Sequence, residues 1–284
     1  MESPILFGCV RKFMRRSTLT SGVLYMRRIG YYFSRIIVFY SGNYKTSGLV
    51  GVLRLSLALG LCALGPLYSR IGLSRRFCPS CGWKGAHFLP FLATGYVGFN
   101  ARCPSCQCHP RHRAHQLFYE KHMQLMEKEG RLLYFAPESN VDNLRKNKKL
   151  DVKTSNYKED TADYDIDIMH IPFDDNTWDY IICHRVIEHI PDDRLGMREI
   201  YRILKPSGIL ILSVPIDDSI KETIDYGKPN PLENDHYYYY AMDFEERIPE
   251  QFKVTKYSFS DLFSKKEFDE MSLVDDYLFI CEKI

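Results

Sequence analysis

The chain has 284 residues, 45% of them hydrophobic and 26% charged, which is enough for one or two domains with a substantial core. The formal net charge of +2 excludes a uniformly basic or acidic protein, yet the charge is unevenly distributed. Residues 1–76 contain twelve Lys or Arg residues and one acid, a net charge of +11, whereas residues 77–284 contain 26 basic and 35 acidic residues, a net charge of −9. The two parts are therefore predicted to meet different surroundings or partners.

Residues 1–47 combine basic pairs with aromatic and aliphatic residues, as in GYYFSRIIVFY. This mixture predicts a segment that binds a membrane surface, because basic side chains are attracted to anionic headgroups and aromatic rings sit well at the interface. A nucleic-acid-binding arm and an unstructured extension are the alternatives. The first apolar run is short and interrupted by basic residues, so a cleavable signal is not expected.

Leu49–Tyr68 is a run of twenty residues with one charge, Arg54. As a helix it is long enough to cross about 30 Å of hydrocarbon. An interfacial helix and a helix packed in a protein core are the alternatives to a span. Residues 1–75 are therefore predicted to form a basic, hydrophobic, membrane-associating segment. The protein is expected in the cytoplasm, at the inner face of the membrane.

Two CPSC repeats, separated by 21 residues, contain four of the nine cysteines: Cys78, Cys81, Cys103 and Cys106. Two short-range pairs on tight turns can present four thiolates to one Zn²⁺. Cys108 and His109 are alternatives to the last of these ligands. Four thiolates leave no open position for a water molecule, so the zinc is assigned to folding, in a reducing compartment. A small zinc-ribbon domain is predicted over residues 76–115.

The rest of the chain alternates strands with helices, which predicts a parallel sheet with crossover connections, an α/β fold. Strands are predicted from Arg131 and over Leu150–Asn156, Tyr164–Met169, Trp178–His184 and Ile209–Val214. Helices are predicted over Gln116–Lys128, Asp192–Leu204 and Asp243–Ile248. A long loop follows Pro215, and the segments FKVTKYSFS and DDYLFICEKI suit a closing antiparallel hairpin.

The run IPFDDNTWDYIICHRVIEHIPDDRLGMREIYRILKPSGILILSVP resembles the second half of a class I S-adenosylmethionine-dependent methyltransferase domain. The resemblance extends in outline from Arg131 to the C-terminus. The cysteine repeats, followed by Arg111, His112 and Arg113, are similar to a subgroup with a zinc ribbon before the catalytic domain. The resemblance implies a Rossmann-like seven-stranded methyltransferase sheet, formed here by residues 116–284, with S-adenosylmethionine as cofactor.

The resemblance also implies cofactor-binding positions. The loop after the first strand, where the family carries glycines that let backbone amides approach the cofactor, is Phe135, Ala136, Pro137 and Glu138 here. Glu138 is expected either to accept a hydrogen bond from the cofactor ammonium or to cap the following helix. Asn156 ends the second strand, at the ribose position, with Asp160 and Asp163 nearby. Asp167, followed by Ile168, corresponds to the acid that receives the adenine amino group.

Two histidines are the candidate catalytic residues. His184 follows the carboxyl end of a strand, where open α/β sheets bind ligands, and a neutral imidazole can accept a proton near pH 7. His236 matches the start of the "dHvR.y" sequence of the family's substrate lid, although Tyr238 replaces the arginine. The four-tyrosine run that follows His236 is expected either to stack on a sugar or aromatic acceptor or to fill the lid's core.

The sequence therefore predicts methyl transfer to a small-molecule or glycan acceptor, with no nucleic-acid partner expected. One rival is a catalytically inactive binding module that uses the zinc ribbon to recognise a partner or nucleic acid. Another is a membrane-anchoring or scaffold protein.

Overall fold

A computed structural model describes residues 22–73, 75–93, 95–157 and 161–284. The chain divides into two compact units. One consists of the residues up to Phe77 with Trp83–His109, and the other of Cys78–Gly82 with Pro110–Ile284. The division into residues 1–75, 76–115 and 116–284 that the sequence predicts stays a prediction.

The first unit is built on two helices that meet at a kink, and on two short hairpins. The helical segment α1 (Gly22–Ala63) is divided at Gly48, whose backbone angles are non-helical (φ 59°, ψ −144°), and α2 (Gly65–Tyr68) follows it. The hairpins pair β1 (Arg76–Phe77) with β2 (Lys84–Gly85), and β3 (Leu89–Leu92) with β4 (Val97–Arg102). A small apolar cluster joins α1 to β4: Phe39, Leu55, Ala58 and Val97.

The second half of α1 is apolar and mostly exposed. Within Ile36–Ala63 the most apolar stretch has a mean hydropathy of 1.6, and 22% of that stretch is buried within the protein. Several large apolar side chains of this segment are exposed: Ile37, Val38, Leu49, Val50, Leu53 and Leu57. By length and composition alone the segment resembles a membrane span, as core helices and signal sequences also do. The kink at Gly48 divides it, and the Tyr40 hydroxyl lies 3.0 Å from Ser56 Oγ across that kink. Residues 1–21 of the predicted surface-binding segment lie outside the described residues.

The second unit contains the predicted sheet. Seven strands are hydrogen-bonded in the order β12-β13-β9-β8-β5-β6-β7, with β12 and β13 antiparallel to their neighbours and the other strands parallel. The strands are β5 (Gly130–Phe135), β6 (Leu150–Asn156), β7 (Tyr164–Asp165), β8 (Trp178–His184), β9 (Leu204–Ser213), β12 (Phe252–Ser258) and β13 (Tyr277–Lys283). The α/β fold class with a seven-stranded Rossmann-like sheet is confirmed.

The helices of this unit are α3 (Pro110–Lys121), α4 (Val141–Leu144), α5 (Asp193–Ile203), α6 (Phe259–Leu262) and α7 (Lys265–Met271). The α5 prediction is confirmed to within one residue at each end. The carboxylate of Asp192 accepts a hydrogen bond from the amide of Leu195 at 2.8 Å, which satisfies an amide of the first turn. Met197 and Ile200 are buried from this helix against the sheet, as their spacing predicts.

Several element predictions were wrong in their limits, and the strand predicted over Ile209–Val214, for example, runs over Leu204–Ser213. The helix predicted over Gln116–Lys128 runs over Pro110–Lys121, because proline suits a first helical position and the chain turns after Lys121. The strand predicted over Tyr164–Met169 pairs only at its first two residues. The loop after Pro215 contains a hairpin of β10 (Ile224–Asn230) and β11 (His236–Tyr239), which Gly227 and Pro229 obscured in the sequence.

The strand order determines where a ligand crevice lies. The chain runs from β5 outward through β6 to β7, then returns to the opposite side of β5 and continues outward through β8 and β9. The order therefore reverses between β5 and β8, whose register places Phe135 beside Cys183. Open α/β sheets bind ligands outside the carboxyl ends of the strands at such a switch point.

Candidate functional site

The switch point is marked by unusual backbone conformations. Ala136, the first residue after β5, has φ 46°, and Arg185, the first after β8, has φ 56°. Each left-handed residue with a side chain costs roughly 1–2 kcal/mol, and such residues concentrate at functional sites. The amide of Ala136 donates to the carbonyl of Ser155 on β6 at 2.7 Å, which holds the turn. The predicted cofactor loop therefore adopts a glycine-like conformation although it contains no glycine.

Glu138, at the end of this loop, is buried and bonded to α3. Its carboxylate accepts hydrogen bonds from Arg111 Nε at 3.0 Å and His115 Nδ1 at 2.8 Å, and His112 Nε2 lies 3.3 Å away. Burial acts to raise the pKa of Glu138, but His112, His115 and Arg111 hold that pKa well below its usual range. In this arrangement the carboxylate contacts α3 rather than the start of α4, whose N-cap is Asn140.

The basic residues that enter α3 thus have different environments. Arg111 and His112 face Glu138. Arg113 is fully buried and donates through Nε to the carbonyl of Met271 at 2.6 Å. Arg113 is therefore an internal residue that contacts the end of α7.

The predicted ribose and adenine positions lie at the ends of β6 and β7. Asn156 Nδ2 donates to the hydroxyl of Thr161 at 3.0 Å. Asp167 is half-buried, and its Oδ1 accepts a hydrogen bond from the amide of Met169 at 2.9 Å. Ile168 is buried in the main core of the unit. Asn156 and Asp167 therefore offer an amide and a carboxylate after β6 and β7, and Ile168 belongs to the core.

Two further residues near the predicted ribose position were named from the sequence. The Asp163 side chain is bonded to β6 and to the residue after α4. Its Oδ2 accepts hydrogen bonds from the Thr154 amide at 2.8 Å and from the Arg145 guanidinium at 2.9 Å. Asp160 lies outside the described residues. Asn156 and Asp167 therefore remain the predicted polar contacts at this edge.

Two buried polar atoms near the loop of Ala136 lack a hydrogen-bond partner in the described protein. Ser155 Oγ and Asn140 Nδ2 are buried and make no hydrogen bond within the described protein. Ser155 is bonded through its carbonyl to the turn at Ala136, and Asn140 follows the same loop by four residues. Buried polar groups normally have a hydrogen-bond partner, since each hydrogen bond left unmade costs about 1–3 kcal/mol. An amino-acid nucleoside with ammonium, carboxylate and hydroxyl groups fits this donor and acceptor set.

His184, the first candidate base, is buried at the end of β8 with both ring nitrogens bonded. Nε2 lies 2.7 Å from the hydroxyl of Tyr119, and Nδ1 lies 2.9 Å from the hydroxyl of Ser213. The ring stacks on His115 with centroids 3.8 Å apart. Burial, reinforced by His115, lowers the pKa of His184 well below its usual range, so the ring is neutral at pH 7. Sequence analysis missed Tyr119, because nothing local relates α3 to β8.

His236, the second candidate base, belongs to a different cluster. Glu188 and His189 lie on a 3₁₀ turn (Ile187–His189) after β8, and His236 begins β11. One ligand atom from each of the three residues lies within 4.8 Å of the other two. Burial and the neighbouring His189 lower the pKa of His236 to about 4, while burial raises the pKa of Glu188 to about 7. His184 and His236 are thus not members of one hydrogen-bonded pair.

The four predicted metal ligands come together in the structure. One sulfur from each of Cys78, Cys81, Cys103 and Cys106 lies within 4.8 Å of the others. The two repeats form matching turns, since the amide of Gly82 donates to the Cys78 carbonyl at 2.9 Å and that of Gln107 to the Cys103 carbonyl at 3.0 Å. Both Gly82 and Gln107 have positive φ. The arrangement is compatible with a small zinc-binding region of the four-thiolate kind.

The alternative ligands, Cys108 and His109, have other contacts in the structure. His109 packs its ring edge-on against Phe91, with centroids 4.8 Å apart. The carbonyl of Cys108 accepts the amide of Cys103 at 3.0 Å, so this residue extends the turn. The group of metal-ligating atoms found among the described residues contains Cys106 in the fourth place.

Residues 138–212 match the family model described as "Methyltransferase domain". The match begins after the loop at Ala136 and extends through β9, so it includes the carboxyl ends of β6 and β8 but not the glycine-free turn. It covers about a quarter of the chain. Together with the seven-stranded sheet, this match supports a class I methyltransferase fold for the second unit.

Curated relatives match over short segments. The demethylmenaquinone methyltransferase of Staphylococcus epidermidis is 38% identical over 45 residues, which are 16% of this chain and 19% of the relative. The sterol 24-C-methyltransferase erg6 of Schizosaccharomyces pombe is 39% identical over 59 residues, 19% of this chain and 16% of the relative. The chain spans a quarter or less of the length of the curated relatives it matches.

Among solved structures, the PH0226 protein from Pyrococcus horikoshii superposes with a TM-score of 0.41 at 18% identity. The superposition covers 61% of this chain and 91% of that protein.

Proposed function

We propose that this protein is an S-adenosylmethionine-dependent methyltransferase that acts on a small-molecule or glycan acceptor. The observation that carries the proposal is the turn at Ala136, a left-handed residue without glycine at the sheet's switch point. A strained turn at this point lies where such a sheet has its ligand crevice, and the bond from the Ala136 amide to the Ser155 carbonyl holds it in place. The match of residues 138–212 to a methyltransferase domain supports the same function.

The proposed cofactor site extends along the carboxyl ends of β5 and β6. Phe135, Ala136 and Pro137 present backbone to the methionine part, with the buried Glu138 behind them. Asn156 contacts the ribose, and Asp167 accepts the adenine amino group beside the apolar side chain of Ile168. Bound there, S-adenosylmethionine supplies an electrophilic methyl group on a positively charged sulfur. The chain's own contribution is to orient the acceptor for in-line attack, without a covalent enzyme intermediate.

The two candidate bases differ in the hydrogen bonds that their rings make. Both ring nitrogens of His184 are hydrogen-bonded, to Tyr119 and Ser213, so one of these bonds must break before His184 accepts a proton. His236 is half-buried and, with its pKa near 4, a neutral and weak proton acceptor at pH 7. We therefore propose that proton removal from the acceptor takes place near His236 and that His184 fixes the end of β8.

The acceptor class is proposed from chemistry and from relatives. The names of two relatives specify a demethylmenaquinone and a sterol, both small molecules. The exposed apolar face of Ile36–Ala63 and the basic N-terminal residues suit attachment to a membrane, where acceptors of that kind are found. We propose a cytoplasmic protein at the inner face of the membrane, with a glycan as the second acceptor class.

A structural zinc ion is proposed at the four clustered cysteines. With four thiolates and no position for water, Zn²⁺ there would stabilise the two CPSC turns and take no part in methyl transfer. Its expected stoichiometry is about one per chain at this site.

Titration calorimetry of the full-length chain with S-adenosylmethionine and S-adenosylhomocysteine tests the proposal. We expect saturable binding of both ligands with one site per chain, because both share the adenosine and amino-acid parts. Absence of binding by folded protein, verified by circular dichroism, would contradict it. That result would favour the inactive binding module, in which Glu138 serves only to hold α3.

A further inference from the structure

Glu188, His189 and His236 form a cluster that the proposed methyl-transfer site does not use. One oxygen and two imidazole nitrogens, one atom per residue, lie within 4.8 Å of one another. Two atoms that each lie about 2.1 Å from one metal ion are at most about 4.2 Å apart, so small side-chain rotations close the set around an ion. The two imidazole rings stand nearly perpendicular, at 82°, with centroids 4.6 Å apart.

The carboxylate of Glu188 supplies the second observation. The side chain is 1% exposed, and its Oε2 has no hydrogen-bond partner in the described protein. A buried carboxylate oxygen without a donor is costly, so such groups are normally paired or coordinate a metal. Glu188 lies beside the two imidazoles, which are the side chains that most often bind metals.

The fold holds the three ligands on two separate elements. Glu188 and His189 are neighbours on the 3₁₀ turn after β8. His236 lies on the β10–β11 hairpin, directly after two residues with left-handed backbone conformations, Asn234 and Asp235. A metal ion at this point would therefore tie the hairpin to the carboxyl end of the central sheet.

The nearby positive charge is compensated. Arg185, three residues before Glu188, forms an ion pair with Asp276 through its guanidinium. The carboxylate of Asp276 therefore offsets the repulsion between the Arg185 guanidinium and a bound cation.

We propose that Glu188, His189 and His236 bind one divalent transition-metal ion, a two-histidine, one-carboxylate site distinct from the four-cysteine cluster. Nitrogen and oxygen donors of this kind suit Zn²⁺ and its first-row neighbours. Three protein ligands leave coordination positions open, which distinguishes this site from the closed thiolate cluster.

The open positions define the ligand class. A hydroxyl or carbonyl oxygen of the acceptor would complete the coordination shell, and a bound hydroxyl loses its proton more readily than a free one. This catalytic purpose rests on the proposed methyl transfer, whereas the metal binding itself does not. His236 becomes a ligand in this arrangement, in place of the base role predicted from the sequence.

Counting zinc tests the site. Full-length protein and variants are saturated with Zn²⁺, freed of excess by gel filtration, and analysed by mass spectrometry of the metal content. We expect about two zinc ions per chain for the parent and about one for Glu188→Gln and for His236→Gln, because each variant removes a ligand of the open site only. His170→Gln, which removes an imidazole whose side chain is 76% exposed, serves as the matched control and should retain both ions.

Three results would overturn the proposal. These are one zinc per chain in the parent, unchanged zinc content in both variants, or equal loss in His170→Gln. Circular dichroism identifies a variant that fails to fold. Glu188→Gln changes the size of the side chain little, and His236→Gln alters a half-buried position, so the two variants are independent tests.

Calorimetry with S-adenosylmethionine on the same samples separates the two proposals. If the protein binds the cofactor but not a second zinc ion, only the metal-site proposal is contradicted. If it binds a second zinc ion but not the cofactor, only the proposed function is contradicted.

Discussion

The hydroxyl of Tyr119 lies 2.7 Å from Nε2 of His184, which joins α3 to the carboxyl end of β8 across 65 residues of sequence. The hydroxyl of Ser213 on β9 is hydrogen-bonded to the other ring nitrogen. The buried His184 therefore connects α3, β8 and β9. Through this bond and those of Glu138, α3 is fixed to the two strands that flank the switch point.

The buried imidazole predicts a pH dependence of stability. The folded-state pKa of His184 lies well below 6.5 because of burial, whereas the unfolded chain takes up the proton near pH 6.5. Below about pH 6.5 the unfolded state therefore binds one more proton, and stability falls by about 1.4 kcal/mol per pH unit from this group. We expect His184→Asn to flatten the dependence of unfolding free energy between pH 6.5 and 5.5 by about that slope. Urea unfolding of parent and variant at several pH values measures it, and equal slopes would contradict the prediction.

Replacing Glu138 by Gln should destabilise the protein. The substitution leaves Arg111, His112 and His115 facing a neutral amide in a buried place, and breaking a buried ion pair costs about 3 kcal/mol or more. The low pKa of Glu138 means that its contribution is present above about pH 4.5 and is lost as the pH falls through the folded pKa. Thermal unfolding at pH 7 measures the loss. Glu127→Gln, at an exposed residue, is the control and should change stability by less than about 0.5 kcal/mol.

The left-handed turn after β5 predicts an unusual response to glycine. Ala136→Gly removes a backbone penalty of roughly 1–2 kcal/mol and adds about 0.5–1 kcal/mol of unfolded-state entropy cost, so stability should be unchanged or higher. The same substitution at Ala114, buried within α3, should cost about 1 kcal/mol or more. Urea unfolding compares the two variants. A similar loss at both positions would show that Ala136 does not hold a left-handed conformation in solution.

Asp167 is the proposed acceptor for the adenine amino group. A hydrogen bond to a carboxylate is worth about 1.5–3 kcal/mol, so Asp167→Ala should weaken S-adenosylmethionine binding by roughly 10- to 100-fold. Asp151→Ala, at an exposed carboxylate on β6, is the matched control and should bind like the parent. Calorimetry measures both dissociation constants. If Asp167→Ala binds as tightly as the parent, the adenine lies elsewhere.

Local sequence determined the sheet and its helices, because their signals lie within a few residues. The strand limits of Leu150–Asn156 and Trp178–His184 match the structure, and Asp192 marks the start of α5 through its own side chain. The two CPSC repeats carry their own turns, so spacing indicated each pair of ligands, whereas the meeting of the two pairs is a tertiary contact. The resemblance to a methyltransferase rested on residues 171–215, most of which lie within the stretch 138–212 that the family model matches.

Tertiary structure decided which side chains meet. No local pattern relates Tyr119 to His184, Glu138 to His115, or Glu188 to His236, because each pair is joined across separate elements. The hairpin that carries His236 was predicted as a loop, since proline and glycine weaken the strand signal while tertiary pairing still forms it. The sequence by itself therefore determined the scaffold. Long-range packing decided which residues became a buried network and which became a candidate metal site, since those contacts depend on the strand order rather than on neighbouring residues.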